Sequence, residues 1–168
     1  MLYFAYGSNM SEKRLAARVG EIRKVGVAKL SNYILRFNKV GRDLSGKCNI
    51  CKAPKAFVLG VVYQIDDSQK IILDEYEGVG FGYKNKHIKV IDINKKEELN
   101  VITYVATYIN DKLLPYSWYK VHVLRGAIEN KFQREYISNI VNVKAVKDPN
   151  IHRAKRELAI YSKKITNM

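Results

Sequence analysis

The sequence predicts an α+β fold built on a mixed β-sheet or a small β-barrel. Strand-like segments dominate before Pro115, and helical patterns dominate after it. The chain has 168 residues, of which 47% are hydrophobic, and this is enough to bury one core. No repeat or low-complexity linker divides the chain, so we expect a single domain over residues 1–168.

Short apolar and β-branched runs predict the strands. Residues 2–6 form an apolar run that ends at Gly7, which indicates a buried strand. Residues 56–65 are rich in β-branched and aromatic side chains, and these favour strands. The remaining strands are predicted at 25–30, 33–37, 86–93 and 99–108, with 47–52 as a further candidate.

Helical patterns are predicted at residues 11–18, 66–76, 116–129, 133–143 and 151–163. The second of these helices begins at Asp66 or Asp67, either of which can cap it, and Gly78 closes it. The last helix, at about 150–163, is basic and follows Pro149. We expect it to pack on the outside of the domain.

Positive charge is the main bias in the composition. The chain has 30 Lys and Arg against 16 Asp and Glu, a net charge of +14. Such a field attracts anionic partners and speeds their encounter. The basic residues are scattered and no nucleic-acid-binding motif accompanies them, so a solvated basic surface is favoured over a nucleic-acid interface. An acidic small substrate would also be attracted by this field.

Nothing in the sequence indicates a membrane or an export pathway. The apolar runs are too short to cross a bilayer, and the first ten residues do not resemble a secretion signal. We therefore expect a cytoplasmic protein without a membrane partner.

The two cysteines, Cys48 and Cys51, supply at most half of a zinc site. The three histidines, His87, His122 and His152, show no ligand spacing with them. In an extended segment the two thiols project to opposite faces. We interpret them as incidental thiols and expect no metal site.

The segment Tyr6-Gly7-Ser8-Asn9 lies between a predicted strand and a predicted helix. Gly7 permits a sharp turn that a Cβ atom would obstruct. The N–H groups of Gly7, Ser8 and Asn9 precede the helix, where backbone donors have no intrahelical partner. They could hold a carboxylate or a developing oxyanion, although an ordinary capped turn fits the same spacing.

Three carboxylates, Asp74, Glu75 and Glu77, lie at the carboxyl end of the second predicted helix. This is the unfavourable end for negative charge. If Glu77 is partly buried, it could accept and return a proton near neutral pH. If it is exposed, the three residues form a solvated acidic patch, and the spacing leaves both alternatives open.

Taken together, these segments resemble the γ-glutamylcyclotransferase-like (AIG2-like) family. Residues 3–9 are close to the family's aromatic-aromatic-Ala-Tyr-Gly-Ser-Asn opening, and residues 73–78 match its Leu-Asp-x-x-Glu-Gly motif. Tyr119 stands seven residues before Gly126, in the register of the family. Cys48 departs from the pattern, because the family usually has alanine there.

The resemblance implies a small mixed β-barrel with helices packed outside. It implies that Glu77 is the catalytic general acid–base. It also implies a substrate-binding site made of Tyr3, Phe4, Ala5, Tyr6, Gly7, Ser8, Asn9 and Tyr119.

The implied reaction releases 5-oxoproline and an amine or amino acid from a small γ-glutamyl compound. The α-amine of the substrate attacks its own γ-carbonyl, and neither a metal nor an organic cofactor is needed. The leaving group and a homodimeric state stay open. The alternative is a non-catalytic or accessory member of the family that binds an acidic partner through its basic surface.

Overall fold

The first strand, β1 (Leu2–Ala5), lies between two others in the computed structural model, which describes residues 1–162. It pairs antiparallel with β3 (Gly46–Gln64) and parallel with β5 (Glu98–Ala106). The strands β2 (Arg23–Val40) and β4 (Tyr83–Asp92) complete the order β1-β3-β2-β4-β5, which closes into a barrel. One parallel and four antiparallel pairings make the barrel mixed, so the predicted fold class is confirmed.

The strands β2 and β3 form one long hairpin where shorter strands were expected. The predicted division of this region into four strands is wrong. The pairing shifts register between Ser31 and Tyr33, and both Asn32 and Lys55 have positive φ angles, of 62° and 65°. A bulge of this kind bends a strand without ending it, because pairing resumes on the other side.

The helices follow the predicted pattern to within two residues, except at the end of the chain. They are α1 (Glu12–Val19), α2 (Asp67–Glu77), α3 (Ser117–Glu129), α4 (Arg134–Val141) and α5 (Ile151–Leu158). A short 3-10 turn, Ala159–Tyr161, follows α5. The predicted last helix extended to Lys163, and that residue lies outside the described residues.

The sequence correctly predicted the caps at both ends of α2: Asp66, one of two candidates, at the start and Gly78 at the end. Asp66 accepts a hydrogen bond from the Gln69 N–H, and Gln69 accepts one from the Asp66 N–H. At the other end Gly78 adopts the left-handed conformation with φ of 64°. The capping box fixes where α2 begins, and the left-handed Gly78 fixes where it ends. The position of Glu77, the last residue of α2, follows from the second of these caps.

The core fills the barrel and extends under α3. Phe4, Val61 and Tyr63 are fully buried inside it. A Cβ atom on Gly126 of α3 would lie 2.5 Å from the Met10 Cβ, so glycine allows α3 to pack directly on the loop after β1. No helix among residues 1–162 has the length and apolar character needed to span a membrane.

Candidate active site

The loop after β1 forms a tight turn in which some backbone N–H groups make no hydrogen bond within the turn. Residues Ser8–Met10 form a single 3-10 turn. Its bonds run from the Met10 N–H to the Gly7 carbonyl at 3.1 Å and from the Ser11 N–H to the Ser8 carbonyl at 3.4 Å. The donors of these two bonds are Met10 and Ser11, so the N–H groups of Gly7, Ser8 and Asn9 take no part in them. Those N–H groups are therefore candidates to bind an oxyanion.

Gly7 is required in this turn by a close approach of the chain to β3. A Cβ atom at position 7 would lie 2.8 Å from the Cys48 Cβ and 3.6 Å from the Tyr119 hydroxyl. The φ angle of Gly7, −117°, is one that any residue can adopt. The requirement is therefore steric, and the expectation that a Cβ atom would obstruct the turn is confirmed.

Glu77, the last residue of α2, lies against this turn. Its Oε1 accepts hydrogen bonds from Asn9 Nδ2 at 3.0 Å and from Arg18 Nη1 at 3.2 Å. Asn9 also contacts both the Tyr3 hydroxyl, at 3.1 Å, and Arg18, at 3.0 Å. The Glu77 side chain is 14% exposed. The carboxylate is thus partly buried and held in one orientation, facing the turn.

The other two carboxylates of this segment, Asp74 and Glu75, make no contact with Glu77. Asp74 pairs with Lys70 one helical turn earlier and accepts a hydrogen bond from the Tyr104 hydroxyl at 2.7 Å. Glu75 is exposed. Glu77 is therefore surrounded by hydrogen-bond donors and not by the neighbouring carboxylates, and the acidic-patch alternative applies only to Glu75.

Glu77 and the turn line a small cavity of about 30 Å³, here named the inner pocket. Its volume is close to that needed for one or two water molecules. Glu77 is the one carboxyl group among the residues that line it. The lining residues are Tyr3, Tyr6, Gly7, Ser8, Asn9, Cys48, Glu77, Tyr83, Tyr104 and Tyr119.

The hydroxyl and thiol groups of the inner pocket are uncharged at neutral pH. Burial raises the pKa of Tyr6, Tyr83 and Tyr119 well above the ordinary tyrosine value. Burial also raises the pKa of the Cys48 thiol to about 12. The Tyr119 hydroxyl accepts from the Cys48 N–H at 3.0 Å, and the Tyr83 hydroxyl donates to the Cys48 carbonyl at 2.7 Å. The walls are therefore fixed, neutral hydrogen-bonding groups.

A larger and strongly basic cavity of about 480 Å³, here named the outer cleft, adjoins the inner pocket. The two cavities share the residues Ser8, Glu77, Tyr83 and Tyr119. The basic side chains that line the outer cleft are Arg14, Arg18, Lys39, Arg42, Lys47 and Arg153.

A buried histidine supports the wall of the outer cleft formed by α5. His122 is fully buried, with one ring nitrogen 2.8 Å from Arg14 Nη1 and the other 2.7 Å from the Tyr161 hydroxyl. Arg14 in turn pairs with Glu157 of α5 at 2.7 Å. Burial lowers the pKa of His122 to about 4, so its ring is neutral at pH 7. The hydrogen bonds to Arg14 and Tyr161 satisfy both ring nitrogens, so His122 is a structural residue of this wall.

The structure brings together most of the residues that the sequence predicted for the site. Glu77, Tyr3, Tyr6 and Tyr119 line the inner pocket with residues 7–9. Phe4 and Ala5 are buried in the core and are absent from that lining.

Sequence reasoning missed Tyr83, Tyr104 and Arg18 as members of the site. A buried tyrosine needs a hydrogen-bond partner for its hydroxyl. The presence of tyrosines at two strand positions, Tyr83 and Tyr104, could therefore have indicated that they line a polar pocket. Arg18 lies near the end of α1, nine residues after Asn9, and carried no such signal.

The cysteines lie on β3 and are not bonded to each other. Cys48 is buried in the inner pocket, whereas Cys51 is half-buried and contacts Asn49. Within residues 1–162 no three His, Cys, Asp or Glu side chains are close enough together to hold a metal ion.

Comparison with known proteins gives a consistent set of relatives. The family model described as "AIG2-like family" matches residues 57–140. The γ-glutamylcyclotransferase of Mus musculus is 32% identical over 160 residues, which cover 92% of this chain and 82% of the mouse protein. That of Homo sapiens is 34% identical over 141 residues, covering 80% of this chain and 74% of the human protein.

A solved structure described as a γ-glutamyl cyclotransferase has the same architecture. It superposes with a TM-score of 0.81 at 27% sequence identity, covering 93% of this chain and 98% of the other. The resemblance seen in the motifs is therefore confirmed by both sequence and fold over nearly the whole chain. The chain belongs to the γ-glutamylcyclotransferase-like (AIG2-like) family.

Proposed function

We propose that this protein is a γ-glutamyl cyclotransferase that converts a small γ-glutamyl compound to 5-oxoproline and a free amine or amino acid. One observation carries the proposal: the carboxylate of Glu77 faces the Gly7–Asn9 turn across a shared pocket, 3.0 Å from Asn9 Nδ2. The names of the relatives support the same reaction. We further propose that the chain acts as one domain.

The first contribution of the site is to fold the glutamyl chain. The α-amine and the γ-carbonyl belong to one molecule, so holding them in contact replaces an encounter of two molecules. The inner pocket is narrow and has fixed walls, because the hydroxyls of Tyr83 and Tyr119 are bound to the backbone of Cys48. A pocket of about 30 Å³ holds the reacting carbonyl but not a whole glutamyl group, so the remainder of the substrate extends into the adjoining outer cleft and the fixed walls set the position of the carbonyl.

The second contribution is proton transfer by Glu77. The substrate's ammonium has no lone pair, so Glu77 first accepts a proton from it. The free amine then forms a bond to the γ-carbonyl carbon, and the carbonyl oxygen becomes an oxyanion. After the attack the ring nitrogen carries two hydrogens. Glu77 returns its proton to the leaving nitrogen, and the oxyanion re-forms the carbonyl as the bond between that nitrogen and the former γ-carbonyl carbon breaks. The ring nitrogen then passes one hydrogen, as a proton, through Glu77 to the departing amine, which leaves as an ammonium together with 5-oxoproline. One carboxyl can serve these steps in sequence.

The third contribution is stabilisation of the oxyanion. The N–H groups of Gly7, Ser8 and Asn9 are the donors placed for this task. A donor of this type contributes about 3–4 kcal/mol to the transition state. Arg18 and Asn9 act on Glu77, because their hydrogen bonds set the direction of its carboxylate.

The test uses γ-glutamyl-alanine and its N-acetyl derivative. The purified protein is expected to release 5-oxoproline and alanine in equal amounts from the first substrate. It should release neither from the second, because acetylation removes the attacking amine. Formation of glutamate in place of 5-oxoproline, or cleavage of the blocked substrate, would show a hydrolase and contradict the proposal. If no γ-glutamyl compound reacts, the accessory alternative gains support.

A further inference from the structure

We propose that Lys39 is a specificity-determining residue, which binds the carboxylate of the leaving amino acid. The enzyme would then act on γ-glutamyl α-amino acids in preference to γ-glutamyl amines. This inference rests on the proposed function, since it concerns the part of the substrate beyond the scissile amide.

A bulge in β2 directs Lys39 into the outer cleft. Side chains in a regular strand alternate between faces, yet Phe37, Asn38 and Lys39 are all buried. The pairing of β2 with β3 shifts register between Arg36 and Lys39, which accounts for the three consecutive buried positions. Bulges that redirect a side chain are common next to functional sites.

Lys39 is the one buried or half-buried cation of the outer cleft, among residues 1–162, that has no carboxylate partner; Arg42 has none either but is exposed. The ion pairs of the other buried or half-buried cations are Arg14–Glu157 at 2.7 Å, Arg18–Glu77 at 3.2 Å, Lys47–Asp43 at 2.8 Å and Arg153–Asp148 at 2.6 Å. Lys39 is only 7% exposed, and among residues 1–162 no carboxylate oxygen lies within 4.0 Å of its ammonium. The ammonium lies 4.8 Å from the centre of the Tyr83 ring. A cation in this position is stabilised by an anion that enters the cleft beside it.

The Lys39 ammonium lies near the backbone of Glu77, with Gly82 between them. A Cβ atom on Gly82 would lie 3.0 Å from both the Lys39 ammonium and the Glu77 carbonyl oxygen, so Gly82 leaves the room that the lysine occupies. Burial lowers the pKa of Lys39, and the negative charge of Glu77 opposes that change.

The geometry separates the two ends of the substrate. The turn and Glu77 fix the scissile carbonyl at the inner pocket, which leaves the outer cleft for the leaving group. Lys39 lines the outer cleft and not the inner pocket. A carboxylate on the carbon next to the leaving nitrogen would therefore lie on the Lys39 side.

The test compares two substrates that differ only in this carboxylate, γ-glutamyl-alanine and γ-glutamyl-ethylamine. The wild-type protein is expected to prefer the first by roughly ten- to a hundredfold in kcat/KM, as for a hydrogen bond between charged groups. In Lys39→Met the preference should fall to within about threefold, mainly through a higher KM for γ-glutamyl-alanine. Lys39→Arg keeps the charge and should keep most of the preference.

Lys95→Met is the matched control, since Lys95 is exposed on the β4–β5 hairpin outside both cavities and its loss should leave the preference unaltered. A measurement on the wild type needs no variant: alanine should inhibit more strongly than ethylamine at equal concentration.

An unaltered preference in Lys39→Met, or an equal loss on both substrates, would overturn the assignment of Lys39 and leave the proposed function standing. Absence of 5-oxoproline from both substrates with the wild-type protein would overturn the proposed function and this inference with it.

Discussion

The inner pocket and the outer cleft share four residues but have opposite electrostatic character. The inner pocket surrounds one carboxylate with neutral hydroxyls, a thiol and backbone amides. The outer cleft is lined by six cationic side chains, most of them in ion pairs. The difference suggests a division of labour in which the inner pocket carries out proton transfer and the outer cleft recognises charge on the leaving group.

The two regions also differ in how they are held. In the inner pocket, hydrogen bonds to backbone groups of β3 and β5 fix Tyr6, Tyr83 and Tyr119. In the outer cleft, two of the ion pairs join separate helices: Arg14 of α1 pairs with Glu157 of α5, and Arg18 of α1 pairs with Glu77 of α2. A change in the inner pocket should therefore alter kcat on every substrate, and a change in the outer cleft should alter selectivity or stability.

A large effect confined to the inner pocket is expected from Gly7→Ala, because Gly7 lines the inner pocket and not the outer cleft. The added Cβ atom would lie 2.8 Å from the Cys48 Cβ, so the turn must move away from the position that binds the oxyanion. We expect kcat to fall by about 10²–10³-fold on γ-glutamyl-alanine and on γ-glutamyl-ethylamine alike. Steady-state kinetics on both substrates measure this effect.

A second substitution tests whether the contact itself is the cause. Removing the Cys48 side chain in Gly7→Ala/Cys48→Gly makes room for the added atom, and part of the lost kcat should return. If the double variant is no more active than Gly7→Ala, displacement of the turn by Cys48 is not the reason for the loss.

The parts of the site that the sequence predicted are those set by local chemistry. The turn at residues 7–9 depends on a glycine and the start of a helical turn, and the position of Glu77 depends on the caps of α2. The turn and the position of Glu77 are each determined by residues that are close together in the sequence. The resemblance to the family predicted that the two lie in one pocket.

The parts that could not be predicted depend on pairing between distant segments. Tyr83 and Tyr104 face the pocket because of the register of β4 against β5, which a sequence period of two leaves uncertain by one residue. Lys39 faces the outer cleft because a bulge reverses the alternation of β2. The closure of the barrel likewise depends on the pairing of β1 with β5, over 90 residues apart.

A smaller effect is expected on stability: the free energy of unfolding should depend on pH through His122, which supports the wall of the outer cleft. His122 is buried and neutral, with a pKa lowered to about 4, whereas an unfolded histidine has a pKa of about 6.5. Between these values the unfolded chain binds a proton that the folded chain does not. The free energy of unfolding should therefore fall as the pH is lowered from 7 to 4.5, by roughly 2–3 kcal/mol from this residue.

Urea unfolding at pH 7 and at pH 4.5 measures this dependence. In His122→Gln, which keeps a polar side chain without a titrating ring, the loss of stability over this range should be reduced. A wild-type protein whose unfolding free energy is the same at both pH values would contradict the neutral, buried state of His122.

The central claim is that the carboxylate of Glu77 moves the protons of the reaction. Its most direct test is the rate of 5-oxoproline release from γ-glutamyl-alanine by Glu77→Gln, with Glu75→Gln on the exposed face of the same helix as the matched control. The glutamine can keep the contacts to Asn9 and Arg18 but cannot accept a proton. We predict a fall in kcat of about 10²–10⁴-fold for Glu77→Gln and no comparable change for Glu75→Gln. Equal rates in the two variants would contradict the account.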